Sequence, residues 1–180
     1  MAASDMAHAI VTLAVCDPKV IENGIAAMPE LSEKGKDELK YLKTWIPKLA
    51  FISYFSEPLR RALVFGYETH LHNWIRLTWA HPEAAEAHLT EIGNRWCRYE
   101  EELGTAMAKG SPPLVEAVGD TYMRLCGSEA DAVLSMIGAI HCATGLRMYK
   151  DMTSKVRLEV IPGKIPLDLL GLAALYRRKP

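Results

Sequence analysis

Prolines divide this chain into short segments, and within each segment the apolar residues recur every three or four positions. Proline interrupts a helix because it lacks an N–H and its ring clashes with the preceding turn, whereas three-and-four spacing places side chains on one helical face. The longest regular run carries apolar residues at Ala85, Leu89, Ile92, Trp96, Tyr99, Leu103 and Met107. The pattern predicts a mostly α-helical single domain over residues 1–180, a bundle of about six to eight helices.

Capping and turn residues indicate where several of these helices begin and end. Ser32 is a good N-cap and predicts a helix start, and Pro47 is expected to kink or split the helix that follows. Ser56-Glu57-Pro58 predicts the start of a helix that runs to about residue 79. Later in the chain, Gly127 predicts a helix end and Ser128 the cap of the last long helix.

The C-terminal end differs in pattern from the rest of the chain. Residues 155–161 alternate charged and apolar side chains, and the sequence continues through Pro162-Gly163 into an apolar segment. This predicts a strand-turn-helix appendage over residues 153–180. A single strand leaves its backbone unpaired, and strand addition is a common way to capture a peptide. Val156, Leu158 and Val160 are therefore candidate partner-binding residues; the alternative is an extended tail that lies on the bundle.

Composition and charge exclude several classes of protein. Lys plus Arg total 21 and Asp plus Glu total 22, a balance without the cationic surplus of a nucleic-acid binder. No apolar run reaches the roughly 18 residues that a membrane span needs. The four cysteines lie far apart, at Cys16, Cys97, Cys126 and Cys142, which is typical of reduced thiols. We therefore expect a cytoplasmic protein with neither a nucleic acid nor a membrane as partner.

One set of residues has the spacing of a metal site. Glu68 and His72 are four residues apart, His88 and Glu91 are three apart, and a short turn at His81-Pro82 separates the two pairs. Each pair can share a helix face, and imidazole with carboxylate suits zinc, iron or manganese. The alternative is two solvated polar faces. The common catalytic motifs, such as the P-loop and H-E-x-x-H, are absent, so the sequence implies no particular cofactor.

Four further residues are candidates for lining a buried pocket: His70, Trp74, His141 and Cys142. His70 lies near the predicted apolar face, where it would act as a ligand or base, or be a core histidine with one hydrogen bond. Gly138, Cys142 and Gly145 fall on one stripe of their helix. Such small residues favour the close approach of another helix; the alternative is a slot for a flat ligand.

Four segments follow the spacing of one known family: Leu13–Pro18, Leu31-Ser32-Glu33, Arg98-Tyr99-Glu100 and the strand Val156–Val160. Together they resemble the helper subunits of multinuclear iron peptide-modifying oxidases of the methanobactin-assembly type. The resemblance implies a helical body with a small sheet that docks a precursor peptide, while the metal sits in the other subunit. This sequence departs from the pattern because it shows one clear strand where such a sheet needs more.

Two functional hypotheses follow from the sequence. The first is a non-catalytic helical partner or binding protein, which binds another chain or an extended peptide and can form a homo-oligomer. A more specific version of this hypothesis is a helper subunit that docks a peptide for a metalloenzyme. The alternative is a helical metal- or cofactor-binding enzyme with a His/Glu site between two helices.

Overall fold

A computed structural model describes residues 3–15, 31–108, 113–155 and 157–158 of the chain. These residues form six α-helices: α1 (Ala3–Val15), α2 (Glu33–Tyr54), α3 (Leu59–Thr78), α4 (Pro82–Ala108), α5 (Leu114–Leu125) and α6 (Ala132–Ser154). The prediction of a mostly helical protein is confirmed, and the described residues contain no strand. The predicted C-terminal strand, turn and helix fall almost entirely on Val156 and residues 159–180, outside the described residues.

Helix α2 lies at the centre of the bundle and contacts each of the other five helices. Its buried apolar residues form one broad stripe, which Phe51 widens: Leu39, Leu42, Trp45, Ile46, Leu49, Ala50 and Phe51. A helix with so broad an apolar stripe is stable only when neighbours cover it. Pro47 is buried within α2, and the helix continues from Glu33 to Tyr54. Of the two outcomes predicted at Pro47, the split is therefore wrong, because packed residues on both sides of Pro47 hold the two halves together, and the kink stays a prediction.

Local capping contacts fix the ends of α2 and α6. The Ser32 hydroxyl accepts a hydrogen bond from the Gly35 N–H at 3.1 Å, as predicted for an N-cap. Helix α6 begins after Asp131, whose carboxylate accepts from two backbone N–H groups at 3.0 and 3.1 Å. Ser128 was therefore the wrong choice of cap. Gly127 has a φ of 89°, so the chain turns there in a left-handed conformation before α6 begins.

Glycines let α6 pack closely on α5 and α2. A Cβ atom added at Gly138 would lie 2.7 Å from the Tyr122 Cβ, and one at Gly145 would lie 2.6 Å from the Ile46 Cγ2. Real Cβ atoms do not approach so closely, so only glycine fits at either position. Cys142 lies between them and is completely buried. The stripe of small residues thus serves helix packing, and α5 and α6 form a tight hairpin on the central helix.

Candidate functional site

The two carboxylates predicted to bind metal are engaged with cationic side chains. The Glu68 carboxylate lies 3.0 Å from the Nζ of Lys48, and the same Nζ lies 2.9 Å from Glu100. Glu91 accepts a hydrogen bond from the Arg95 Nε at 2.7 Å. These ion pairs tie α2, α3 and α4 together. They leave each of the two carboxylates beside a positive charge, which competes with a cation for the same oxygens.

The two predicted metal-binding histidines lie in different surroundings. The His88 ring stacks on the indole of Trp79, with 4.6 Å between ring centroids, and burial lowers the pKa of His88. Burial, and then the charge of Arg76, lower the pKa of His72. Over the described ranges, no group of three or more His, Cys, Asp or Glu side chains is arranged to hold a metal ion. The structure therefore does not bring the four predicted ligands together as such a group.

The residues predicted to line a pocket are divided between α3 and α6. His70 is buried on α3, and Trp74, one turn further along, packs partly buried against the core. On α6, burial raises the pKa of the Cys142 thiol to about 12. Burial and the nearby charge of Lys43 lower the pKa of His141 to about 4. The thiol is thus protonated at neutral pH, the opposite of what a nucleophilic cysteine requires.

Of the three residues predicted to bind a partner chain, one lies in the part of the chain that the structure describes. Leu158 is partly buried and packs against the hydrophobic core. Val156 and Val160 lie outside the described residues. At Leu158, therefore, the chain is still in contact with the bundle after the end of α6.

A buried acidic residue is a feature that the sequence did not predict. Glu38 is 2% exposed, and its carboxylate lies 3.0 Å from the guanidinium of Arg95. Burial raises the pKa of Glu38, and the charge of Arg95 opposes that shift. In the sequence, Glu38 sits in the charged run from Lys34 to Lys40, which is typical of a solvated face. The sequence does hold one signal, because Glu38 precedes Leu42 by four residues and Trp45 by seven, a spacing that places it on the apolar face of the helix.

Helix α6 exposes apolar side chains on the face opposite its buried one. The exposed fractions are 48% for Val133, 55% for Met136, 54% for Ile140 and 44% for Met148. Its other face carries Cys142, Leu146 and Tyr149 into the core. We call Val133, Met136, Ile140, Ala143 and Met148 the α6 face. The sequence does hold a signal for it, because no Asp, Glu, Lys or Arg occurs between Asp131 and Arg147.

A shallow groove of about 490 Å³ borders the α6 face on the side of α5. It is lined by Glu116, Asp120, Met123, Ala130, Ala132, Ser135, Met136 and Ala139. Asp120 accepts a hydrogen bond from the Ser135 hydroxyl at 2.7 Å, which fixes its carboxylate at the junction of the two helices. The groove therefore combines an apolar floor with an acidic wall.

No protein-family model, curated protein or solved structure matches this chain. Within the part of the chain that the structure describes, no helix has the length and apolar character to cross a membrane.

Proposed function

We propose that this chain is a non-catalytic helical interaction protein that binds another protein chain through the α6 face. The supporting observation is that α6 is apolar on both sides, with one side in the core and Val133, Met136 and Ile140 each about half exposed on the other. Contiguous exposed apolar surface is characteristic of protein interfaces, since water is released when a partner covers it. Met is also common at interfaces because its flexible side chain adapts to a partner.

The class of partner and the cellular compartment in this proposal come from the sequence. The bound chain is a protein or an extended peptide, as the resemblance to helper subunits of peptide-modifying oxidases implies. The setting is the cytoplasm. The free state of Cys97, Cys126 and Cys142 among the described cysteines supports a reducing compartment.

The test compares three tagged baits isolated gently from the native host. The first is the wild-type chain, and the second carries Met136→Asp in the α6 face. The third carries Phe65→Asp, a matched control, because Phe65 is 64% exposed on α3 and lies outside the α6 face. Bound proteins are quantified by mass spectrometry, and circular dichroism confirms that each bait is folded.

We expect at least one stoichiometric protein, including untagged copies of the chain itself, to bind the wild-type and Phe65→Asp baits but to be lost from Met136→Asp. A charged side chain in the centre of an interface must be buried without a counter-ion, which weakens binding strongly. Equal recovery of every bound protein on all three baits would overturn the proposed function, and so would the absence of any bound protein from a chain that is also monomeric in solution.

A further inference from the structure

We infer that the chain covering the α6 face is a second copy of this protein, with the two α6 helices packed antiparallel about a two-fold axis. The inference rests on the proposed function, because it assigns an occupant to the same face. Three observations carry it: the spacing of the exposed residues, the small residue among them, and the distribution of charge along the helix.

The exposed residues of α6 have the spacing of a helix–helix seam. Val133, Met136, Ile140, Ala143 and Arg147 follow one another at steps of three, four, three and four, the heptad pattern of paired helices. Ala143 is exposed and small, so it leaves room for a close approach. With the axis at Ile140, Met136 of one copy lies opposite Thr144 of the other, and Val133 lies opposite Arg147.

Charge changes sign from one end of the α6 face to the other. Near its N-terminal half lie Glu116 and Asp120 of the groove wall and the exposed Glu129. Near its C-terminal half lie Arg147, which is 86% exposed, and Lys150, whose Nζ lies over the Tyr54 ring, together with the exposed Asp151, so one positive charge is in excess at this end. An antiparallel pair brings the acidic half of each copy against the basic half of the other, whereas a parallel pair would place like charges together. The surface is thus complementary to itself, as a two-fold interface requires.

The complementarity also holds across the width of the face. Arg147 follows Met136 by eleven residues, which returns it to the same side of the helix, the side that borders the α5 groove. The two-fold axis lies in the plane between the two α6 helices and crosses them at right angles. Rotation about this axis reverses the direction of the helix but leaves the flank that borders the α5 groove on the same side of the interface in both copies. The partner copy's Arg147 therefore reaches the level of Val133, beside Asp120. Within its own copy, Arg147 pairs with Asp151 at 4.0 Å, a contact that leaves the guanidinium largely in solvent.

The size of the seam predicts a reversible dimer. From Val133 to Met148 the face is about 22 Å long, at 1.5 Å of rise per residue. A single helix pair of this length buries less surface than a standard protein interface, so we expect a dissociation constant in the micromolar range.

The test is sedimentation equilibrium of the full chain from about 1 µM to about 200 µM, a range around the expected constant. We expect the average mass to rise from 20.0 kDa towards twice that value. Ile140→Asp should raise the dissociation constant at least tenfold, and Phe65→Asp should leave it unchanged. A chain that stays monomeric at every concentration, or an Ile140→Asp variant that dimerises like the wild type, overturns the inference.

A second measurement tests the antiparallel arrangement through its charges. Asp120→Asn removes the charge and retains an oxygen to accept the Ser135 hydrogen bond, so the hairpin is preserved. Arg147→Glu reverses the charge at the other end. Each should raise the dissociation constant several-fold at low salt, and the effect should fade at about 1 M salt because the charges are screened. Unchanged dimerisation of both variants would overturn the antiparallel arrangement.

The two proposals can fail separately. A monomeric chain whose wild-type bait still binds a different protein, lost from Met136→Asp, overturns the self-association and supports the interaction function. A dimer that Ile140→Asp disrupts supports both. A monomeric chain with no selectively lost protein overturns both.

Discussion

Replacing Gly119 with alanine tests the close packing that presents the α6 face. A Cβ atom added at this position of α5 would overlap the backbone carbonyl oxygen of Ser135 and lie 3.0 Å from the Ala139 Cβ. The Ser135 carbonyl faces the N–H of Ala139 one turn further along α6, so it cannot move without disturbing the helix. The strain must therefore be relieved by separating α5 from α6.

The expected loss follows from two opposing contributions. Alanine in a helix is favoured over glycine by roughly 0.5–1 kcal/mol, whereas overpacking a close contact destabilises by about 1–3 kcal/mol. The net loss for Gly119→Ala is therefore centred on about 1 kcal/mol. The matched control is Gly93→Ala on α4, where the added Cβ meets no atom within 4 Å, so the roughly 0.5–1 kcal/mol gain should remain.

Urea unfolding followed by circular dichroism measures both variants against the wild type. We expect the two to differ by about 2 kcal/mol, with Gly119→Ala the less stable, which corresponds to roughly 4–8 °C in Tm for a chain of this size. The slope m should stay constant, so that the change lies in the midpoint. If Gly119→Ala is as stable as Gly93→Ala, the reasoning from close helix packing is refuted.

Three further predictions concern buried charge. Because burial raises the pKa of Glu38, the folded state holds its proton more tightly, and wild-type stability should fall as the pH rises through the folded pKa. Glu38→Gln should therefore gain stability relative to the wild type as the pH rises above the unfolded value of 4.5, measured by urea unfolding. The pKa of His141 is lowered to about 4 in the folded state, whereas the unfolded value is 6.5. As the pH falls below 6.5, the unfolded state takes up a proton that the folded state does not, so the wild type loses stability. His141→Gln lacks this group and should lose less stability than the wild type between pH 7 and 5. Lys48→Met removes an ammonium that pairs with two carboxylates and lies 5.2 Å from the centroid of the Trp96 ring, so it should lose about 1 kcal/mol at low salt and less in about 1 M NaCl. An equal loss at both salt concentrations would show that packing, rather than charge, is responsible.

Helix ends were predictable from the sequence where the interaction that fixes them involves residues close together in the chain. Ser32 could be identified as a cap because its hydroxyl bonds a backbone group three residues away, and Gly127 because it adopts a left-handed conformation. Ser128 and Asp131 are equally good caps in isolation, and only the path of the hairpin decides between them. The split predicted at Pro47 was wrong because tertiary packing outweighs the local penalty of proline. The position of α2 at the centre depends on contacts between distant segments, which spacing does not reveal.

In the candidate site too, features that depend on neighbouring residues were predictable from the sequence, whereas contacts between distant segments were not. Spacing correctly indicated that Glu68 and Glu91 lie on helix surfaces, and it also allows Glu91 to pair with Arg95 four residues further on. It could not show that Lys48, from another helix, pairs with Glu68. The charged run around Glu38 favoured a solvated position, although helical spacing places this residue on the apolar face with Leu42 and Trp45. The uncharged stretch before Arg147 was readable, yet its meaning depends on one face being covered by α5 and α2 while the other stays open.

The central position of α2 has a consequence for how the protein opens to solvent. Tyr122 on α5 donates a hydrogen bond to the Gly35 carbonyl, and Trp96 on α4 donates one to the Thr44 hydroxyl, so distant parts of the chain close around α2. Helix α1, in contrast, packs chiefly on α3. Amide protons of α2 should therefore exchange with deuterium only when the whole bundle unfolds, whereas those of α1 can exchange through a smaller, partial opening. The amide protons of the central helix α2 are thus expected to exchange slowly, and α1 is expected to separate from the bundle without unfolding of the other helices.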